Sequence, residues 1–145
     1  MEIENFNLRV YGLLLRDKKV LITHEHRAGI IMTKFPGGGL EKGEGLADGL
    51  TREFNEELKV RITVGDLFYV NEFLQISTFN QKDQLLSFYY YVSCDSTFKT
   101  ADGREKLNLT KGEQIFEWVI LKELNESDFT FPIDREVVKR LKELG

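Results

Sequence analysis

The sequence predicts an α+β fold, a mixed β-sheet sandwiched between helices, and three observations predict it. Segments rich in β-branched and aromatic residues recur along the chain. One amphipathic helical pattern interrupts them near the middle, and a second closes the chain. Helices placed between and after strands must cover the faces of the sheet, which produces layers. A length of 145 residues suits a single domain over 1–145 with a real core. The formal charge of -4 argues against a nucleic-acid polymer as partner, because phosphate backbones bind basic surfaces. A small phosphorylated ligand stays open, since bound metal neutralises charge locally. The lone cysteine, Cys94, cannot form an internal disulfide and reads as a small buried hydrophobe. The start MEIENFN is acidic and carries no signal peptide, and no apolar run is long enough to span a bilayer. The expected location is therefore cytoplasmic, with no membrane partner.

From Asn5 to Leu15, Phe6, Leu8 and Val10 alternate ahead of Tyr11-Gly12-Leu13-Leu14-Leu15, which predicts a strand. Arg16 to Lys19 form a turn around Asp17, without the Asn-Gly or Asp-Gly pair that would set its type. Val20 to Thr23 return as the second strand of a hairpin. His24 and His26 follow and read as exposed loop histidines, because no third ligand of the same kind stands near. Ile30 to Phe35 form a short apolar segment, and Pro36 biases Phe35 to extended geometry. Lys34 and Phe35 alternate, so one of them faces the site side of this segment; the pattern does not choose between them.

Gly37, Gly38 and Gly39 then read as a loop whose bare backbone is open to an ion or a phosphate. Behind it, Leu46, Ala47, Leu50, Phe54 and Leu58 recur at spacings of three and four, a stripe that packs one side of a helix on a sheet. At ~100° per residue, Glu56 and Glu57 lie about 60° and 40° to either side of Glu53, so three carboxylates share a narrow face. Like charges at that spacing repel by a few tenths of a kcal/mol per pair. A hard divalent cation among the oxygens reverses the sign, and Mg²⁺ prefers such ligands.

The stretch from Gly38 to Val60 resembles the Nudix box, G-x5-E-x7-R-E-U-x-E-E-x-G-U with U a bulky aliphatic residue. Gly38, Glu44, Arg52-Glu53 and Glu56-Glu57 all fall in register. Phe54 stands where the pattern has an aliphatic residue, and Lys59 stands where it has glycine. A glycine there suits a left-handed helix cap, which costs another residue about 1–2 kcal/mol. The resemblance implies an α/β/α sandwich that hydrolyses a diphosphate bond in a nucleoside diphosphate linked to another moiety. It implies Glu53, Glu56 and Glu57 as ligands of Mg²⁺, with Mn²⁺ as the alternative, and the carbonyl of Gly37 as a further ligand. Arg52 and Glu44 are then structural, Arg52 orienting the glutamates beside Glu44. Relatives also carry a basic residue facing the substrate's phosphates where Arg27 stands, and Lys34 or Phe35 joins it as substrate-binding.

After the helix, Arg61 to Ser77 and Gln84 to Cys94 are strand-like, with Asn80 to Asp83 as the turn of a second hairpin. Their aromatics read as core. Asp95 to Gly112 is a long loop. Glu113 to Leu121 returns to strand pattern with Trp118 as a core anchor. The resembling enzymes draw a further acid from this region as metal ligand or base, for which Glu113 and then Glu117 are candidates. Glu53, Glu56 and Glu113 are the candidate general bases. Pro132 to Leu144 closes the chain as an amphipathic helix on Ile133, Val137, Leu141 and Leu144.

Subgroup markers narrow the substrate. The proline of ADP-ribose enzymes is missing around Gln75 and Ile76, and the tyrosine of dinucleoside polyphosphate enzymes is missing at Ser77 and Thr78. Glu25 replaces an arginine that a coenzyme A enzyme needs. Nucleoside triphosphates, damaged ones included, and nucleotide sugars remain. The alternative class is a module of the same fold that senses a nucleotide without hydrolysing it. A homodimer is compatible with the resemblance.

Overall fold

The computed structural model describes residues 2–144. Their regular structure comprises the strands β1 (Asn5–Arg16), β2 (Lys19–Arg27), β3 (Ile30–Lys34), β4 (Gly37–Gly39), β5 (Thr63–Val70), β6 (Asp83–Ser93) and β7 (Gln114–Ile120), with helices α1 (Leu46–Leu58) and α2 (Pro132–Leu144). They fall into two compact units, one of residues up to Leu13 with Gly37–Ser96, the other of Leu14–Pro36 with the residues from Thr97 on.

In the first unit β6 lies between β1 and β5, and β4 pairs with β1. The glycines expected as an open loop are a strand, in antiparallel register Arg9↔Gly39, Val10↔Gly38 and Tyr11↔Gly37. Only glycine suits the first of them. At φ +149 a Cβ on Gly37 would collide with the Val10 carbonyl oxygen. β5 ends at Val70, short of the expected Ser77, because Asn71 takes over the pairing. Its Nδ2 donates to the carbonyls of Phe73 (3.0 Å) and Leu85 (3.1 Å), and its Oδ1 accepts from the Ser87 amide at 2.9 Å. Cys94 is only partly buried, a correction to its reading as a core residue, since β6 has already ended at Ser93.

Helix α1 buries Leu50 and Phe54 completely, while Ala47 at the edge of the predicted stripe is exposed. Burying a side chain such as Phe54 contributes about 1.5–3 kcal/mol. The room for its ring comes from β1: a Cβ on Gly12 would lie 2.6 Å from Phe54 Cε1. The larger residue in the box is thus matched by a missing side chain opposite it. At the helix end Lys59 adopts the left-handed conformation of the glycine it replaces, φ 58 and ψ 34, and its amide donates to the Asn55 carbonyl. Its Nζ donates to the Glu56 carbonyl at 3.1 Å. That bond and the charge at the helix C-terminus offset part of the roughly 1–2 kcal/mol of strain.

In the second unit the end of β1 meets β2 through Asp17 and Lys18, both at positive φ, 51 and 63. This is the mirror-image turn that fits the twist of a hairpin, made without glycine. Ala28 and Gly29 repeat it between β2 and β3, at φ 52 and 80. β7 runs antiparallel to β2 from Lys19↔Ile120 to Glu25↔Gln114. His24 is therefore interior to a strand and 2% exposed, not a loop residue. Trp118 is half-buried, with its ring 5.8 Å from Phe98 and the Arg16 guanidinium 5.3 Å from its centre; the buried residue of β7 is Phe116. The long segment before β7 is partly ordered by a 3-10 turn at Gly103–Asn108, started by Asp102 accepting from the Arg104 amide. In α2 Ile133, Val137 and Leu141 are buried, while Leu144 at the last turn is exposed.

Candidate active site

The first unit assembles Gly37, Gly38, Glu44, Arg52, Glu53, Glu56 and Glu57 on β4, α1 and the segment between them. Glu53 folds back onto the glycine strand. A Cβ on Gly38 would lie only 2.6 Å from its Oε1 and 2.8 Å from its Oε2, so a bare backbone is the condition for this carboxylate's position.

Arg52 organises the rest. Its Nε and Nη2 donate to the two Glu44 oxygens at 3.1 and 2.8 Å, a bidentate pair, and Nη2 also reaches the Gly39 carbonyl at 3.0 Å. Its Nη1 donates to Glu53 Oε1 at 3.1 Å and lies 3.3 Å from Glu56 Oε2. One guanidinium thus ties the glycine strand and Glu44 to the helix, and it screens two glutamates that would otherwise repel. The hydrogen bond to Glu44 pushes the Arg52 pKa up, against burial. Glu44 is held below its ordinary carboxylate value of 4.5, first by Arg52 and then by the Glu41 amide.

A depressed folded-state pKa makes the unfolded state the better proton binder at low pH. Glu44 therefore contributes stability that is fully present above its unfolded value and is lost as pH falls through the folded one. Urea unfolding across a pH series is expected to show the wild type losing stability below about pH 4.5. Arg52→Ala should be less stable near neutrality and flatter in that acid window, and an unchanged acid slope would contradict the linkage.

Among the described residues no three His, Cys, Asp or Glu side chains are gathered closely enough to hold a metal ion. Glu53 and Glu56 are turned to Arg52 instead. The donor chemistry nonetheless fits a hard cation: all three side chains offer carboxylate oxygen, the ligand of Mg²⁺ and Mn²⁺. The bare backbone of Gly38 gives the Glu53 carboxylate room against the strand. Glu56 is exposed, and Glu57 is half-buried.

The remaining candidates belong to the second unit. Arg27 is exposed at the end of β2. Lys34 and Phe35, between which the alternation does not choose, are both buried. The Lys34 amine lies 3.8 Å from Glu25, and the Phe35 ring stacks on Phe129 at 4.9 Å. Glu113 is exposed, and its Oε1 accepts from the amide (2.6 Å) and hydroxyl (2.8 Å) of Thr110, the amide bond first among the causes that lower its pKa. Glu117 has its oxygens on His24 Nε2 (2.7 Å) and the Gly103 amide (3.1 Å), while His24 Nδ1 meets Thr33 Oγ1 at 2.7 Å. This partly buried network fastens the 3-10 turn to β7 and β2. The sequence reading passes over Arg9, whose signal is a cation two residues before Tyr11 in a strand that turns apolar.

The family model of the NUDIX domain matches residues 6–141. No curated protein matches. Among solved structures, the MutT protein from Methanosarcina mazei Go1 is 18% identical with a TM-score of 0.72, over 97% of this chain and 96% of that one. The MutT NUDIX hydrolase from Burkholderia pseudomallei is 17% identical at a TM-score of 0.71, over 94% and 98%. A NUDIX hydrolase from Nitrosomonas europaea is 20% identical at 0.69, over 98% and 73%. At these identities the likeness shows the fold, an α/β/α sandwich, as the sequence predicts.

Proposed function

Since the chain belongs to the NUDIX domain family, we propose that it is a metal-dependent pyrophosphohydrolase that cleaves the diphosphate bond of a nucleoside triphosphate or a nucleotide sugar. The observation that carries this reading is Glu53 seated on Gly38, with Glu56 and Glu57 on the same helix and Arg52 bridging strand to helix. The box has glycine at this position, and here a side chain on it would meet the Glu53 carboxylate.

Glu53, Glu56, Glu57 and the Gly37 carbonyl are the groups that would hold Mg²⁺, or Mn²⁺ in its place. Such an ion, when bound, neutralises phosphate oxygens and acidifies a water molecule. Arg52 and Glu44 set the glutamates and the strand in register with each other. The general base comes from Glu53, Glu56 or Glu113; of these Glu113 is made less basic by its two bonds from Thr110. Arg27 is exposed and offers a cation to the substrate's phosphates. Phe35 serves packing where it stands, and Lys34 contributes its charge from a buried position beside Glu25. No helix of the described residues is long and apolar enough to cross a membrane.

A panel of nucleoside triphosphates, nucleotide sugars and dinucleotides, assayed for phosphate or pyrophosphate release with Mg²⁺, tests the reading. Turnover of a triphosphate or a nucleotide sugar is expected, together with a rise in melting temperature when Mg²⁺ and nucleotide are both present. Tight binding without product would replace hydrolysis by sensing. No thermal shift and no product would remove both.

A further inference from the structure

We propose that Arg9 is a further substrate-binding residue, holding a phosphate group of the substrate through its two terminal nitrogens at the glycine strand β4; this rests on the hydrolase reading above. Arg9 and Tyr11 alternate on one face of β1, in register with Gly39 and Gly37. Arg9 Nε donates to the Tyr11 hydroxyl at 2.7 Å, and the guanidinium lies 5.8 Å from the Tyr11 ring centre. Tyr11 is itself fixed by stacking on Tyr89, ring centres 5.0 Å apart. The long arginine side chain has therefore given up its freedom before any ligand arrives, the entropic cost that weakens most surface cations.

What that ordering serves is visible in the donors it leaves. Among the described residues Nε is the only Arg9 nitrogen with a hydrogen-bond acceptor in the protein, and no carboxylate comes within ion-pair distance. Nη1 faces the bare backbone of Gly39, 3.5 Å from where a Cβ would stand. Burial works against the charge on Arg9, yet Tyr11, and after it Glu53, keep its pKa raised. Glu53 is not the missing partner, because its Oε1 is on Arg52. A guanidinium cannot shed its proton, so a half-buried one with a vacant fork is completed by an anion from outside. Two parallel donors match two oxygens of one phosphate. That cation also offsets part of the repulsion a phosphate would meet from the carboxylates.

The test uses the full chain with Arg9→Gln and Arg9→Lys, comparing kcat and KM on the substrate found by the panel, melting temperature, and calorimetric binding of inorganic pyrophosphate in metal-free buffer. Losing the fork is expected to raise KM about tenfold to a hundredfold in Arg9→Gln while kcat moves by no more than about threefold. Pyrophosphate binding should disappear from that variant. Arg9→Lys, which keeps the charge and carries the test if Arg9→Gln does not fold, should recover only part of the affinity. An active wild type with unchanged KM in the variants, or pyrophosphate binding retained by a folded Arg9→Gln, overturns the assignment. A wild type that hydrolyses nothing yet binds pyrophosphate through Arg9 overturns the hydrolase reading and leaves this anion site standing.

Discussion

Glu57→Gln and Glu56→Gln are each expected to lower Mg²⁺-supported turnover by at least about a hundredfold while the protein stays folded. The exchange keeps shape and removes one charge, so it separates metal binding from packing. Glu56 is exposed, and its exchange weakens only two long contacts with Arg52, at 3.3 and 3.4 Å. An exposed pair of this kind contributes about 1 kcal/mol or less. Glu57 is half-buried, where removing a charge lowers the desolvation cost of folding. Neither variant should therefore unfold, and the whole effect should fall on kcat and on the Mg²⁺ concentration needed for half-maximal rate. The measurement is turnover against Mg²⁺ beside urea unfolding. Either variant folded and fully active would remove its glutamate from the reacting centre.

The box helix was legible because two independent patterns, an apolar stripe and an acidic ridge, coincide on Leu46 to Leu58, and helical periodicity is a local property. The family followed from the same residues. What escaped depends on partners far away in sequence. A run of three glycines looks like a loop until β1 is known to lie against it, since pairing is not written in the glycines themselves. His24 looks exposed until Thr33 and Glu117 are seen on its two nitrogens, 9 and 93 residues away in the chain. β5 could not be stopped at Val70 by propensity, because the residue that ends it, Asn71, acts through the Leu85 carbonyl and the Ser87 amide. Lys59 is the instructive departure. The pattern demands glycine for its backbone angle, and the angle is kept while the residue is not. Arg9 was missed for a related reason: its significance lies in bonds its terminal nitrogens do not make, which no spacing encodes.

Two neighbouring glycines of β4 are expected to fail in opposite ways when given a methyl group, and this contrast probes strand and site separately. In Gly37→Ala the new Cβ meets the Val10 carbonyl oxygen and the Tyr11 Cα, at 2.7 Å for the latter, and φ is +149. Both obstacles are backbone in a paired strand, so neither can swing aside. Overpacking and dihedral strain together should cost about 3–5 kcal/mol. That is a large share of the roughly 5–15 kcal/mol of a typical domain, and urea unfolding should show a much lower midpoint or no folded protein. In Gly38→Ala the obstacle is the end of a side chain, the Glu53 carboxylate at 2.6 Å. A carboxylate can move by rotation about its own bonds, at about 1–2 kcal/mol for the strained rotamer and the weakened bond to Arg52. The folded protein should survive, with turnover reduced about tenfold to a hundredfold because Glu53 no longer lies where the glycine strand holds it. Full turnover by a folded Gly38→Ala would show that the seat of Glu53 on the strand has no part in the reaction, whereas a Gly37→Ala protein of normal stability would show that β4 does not need its register with β1.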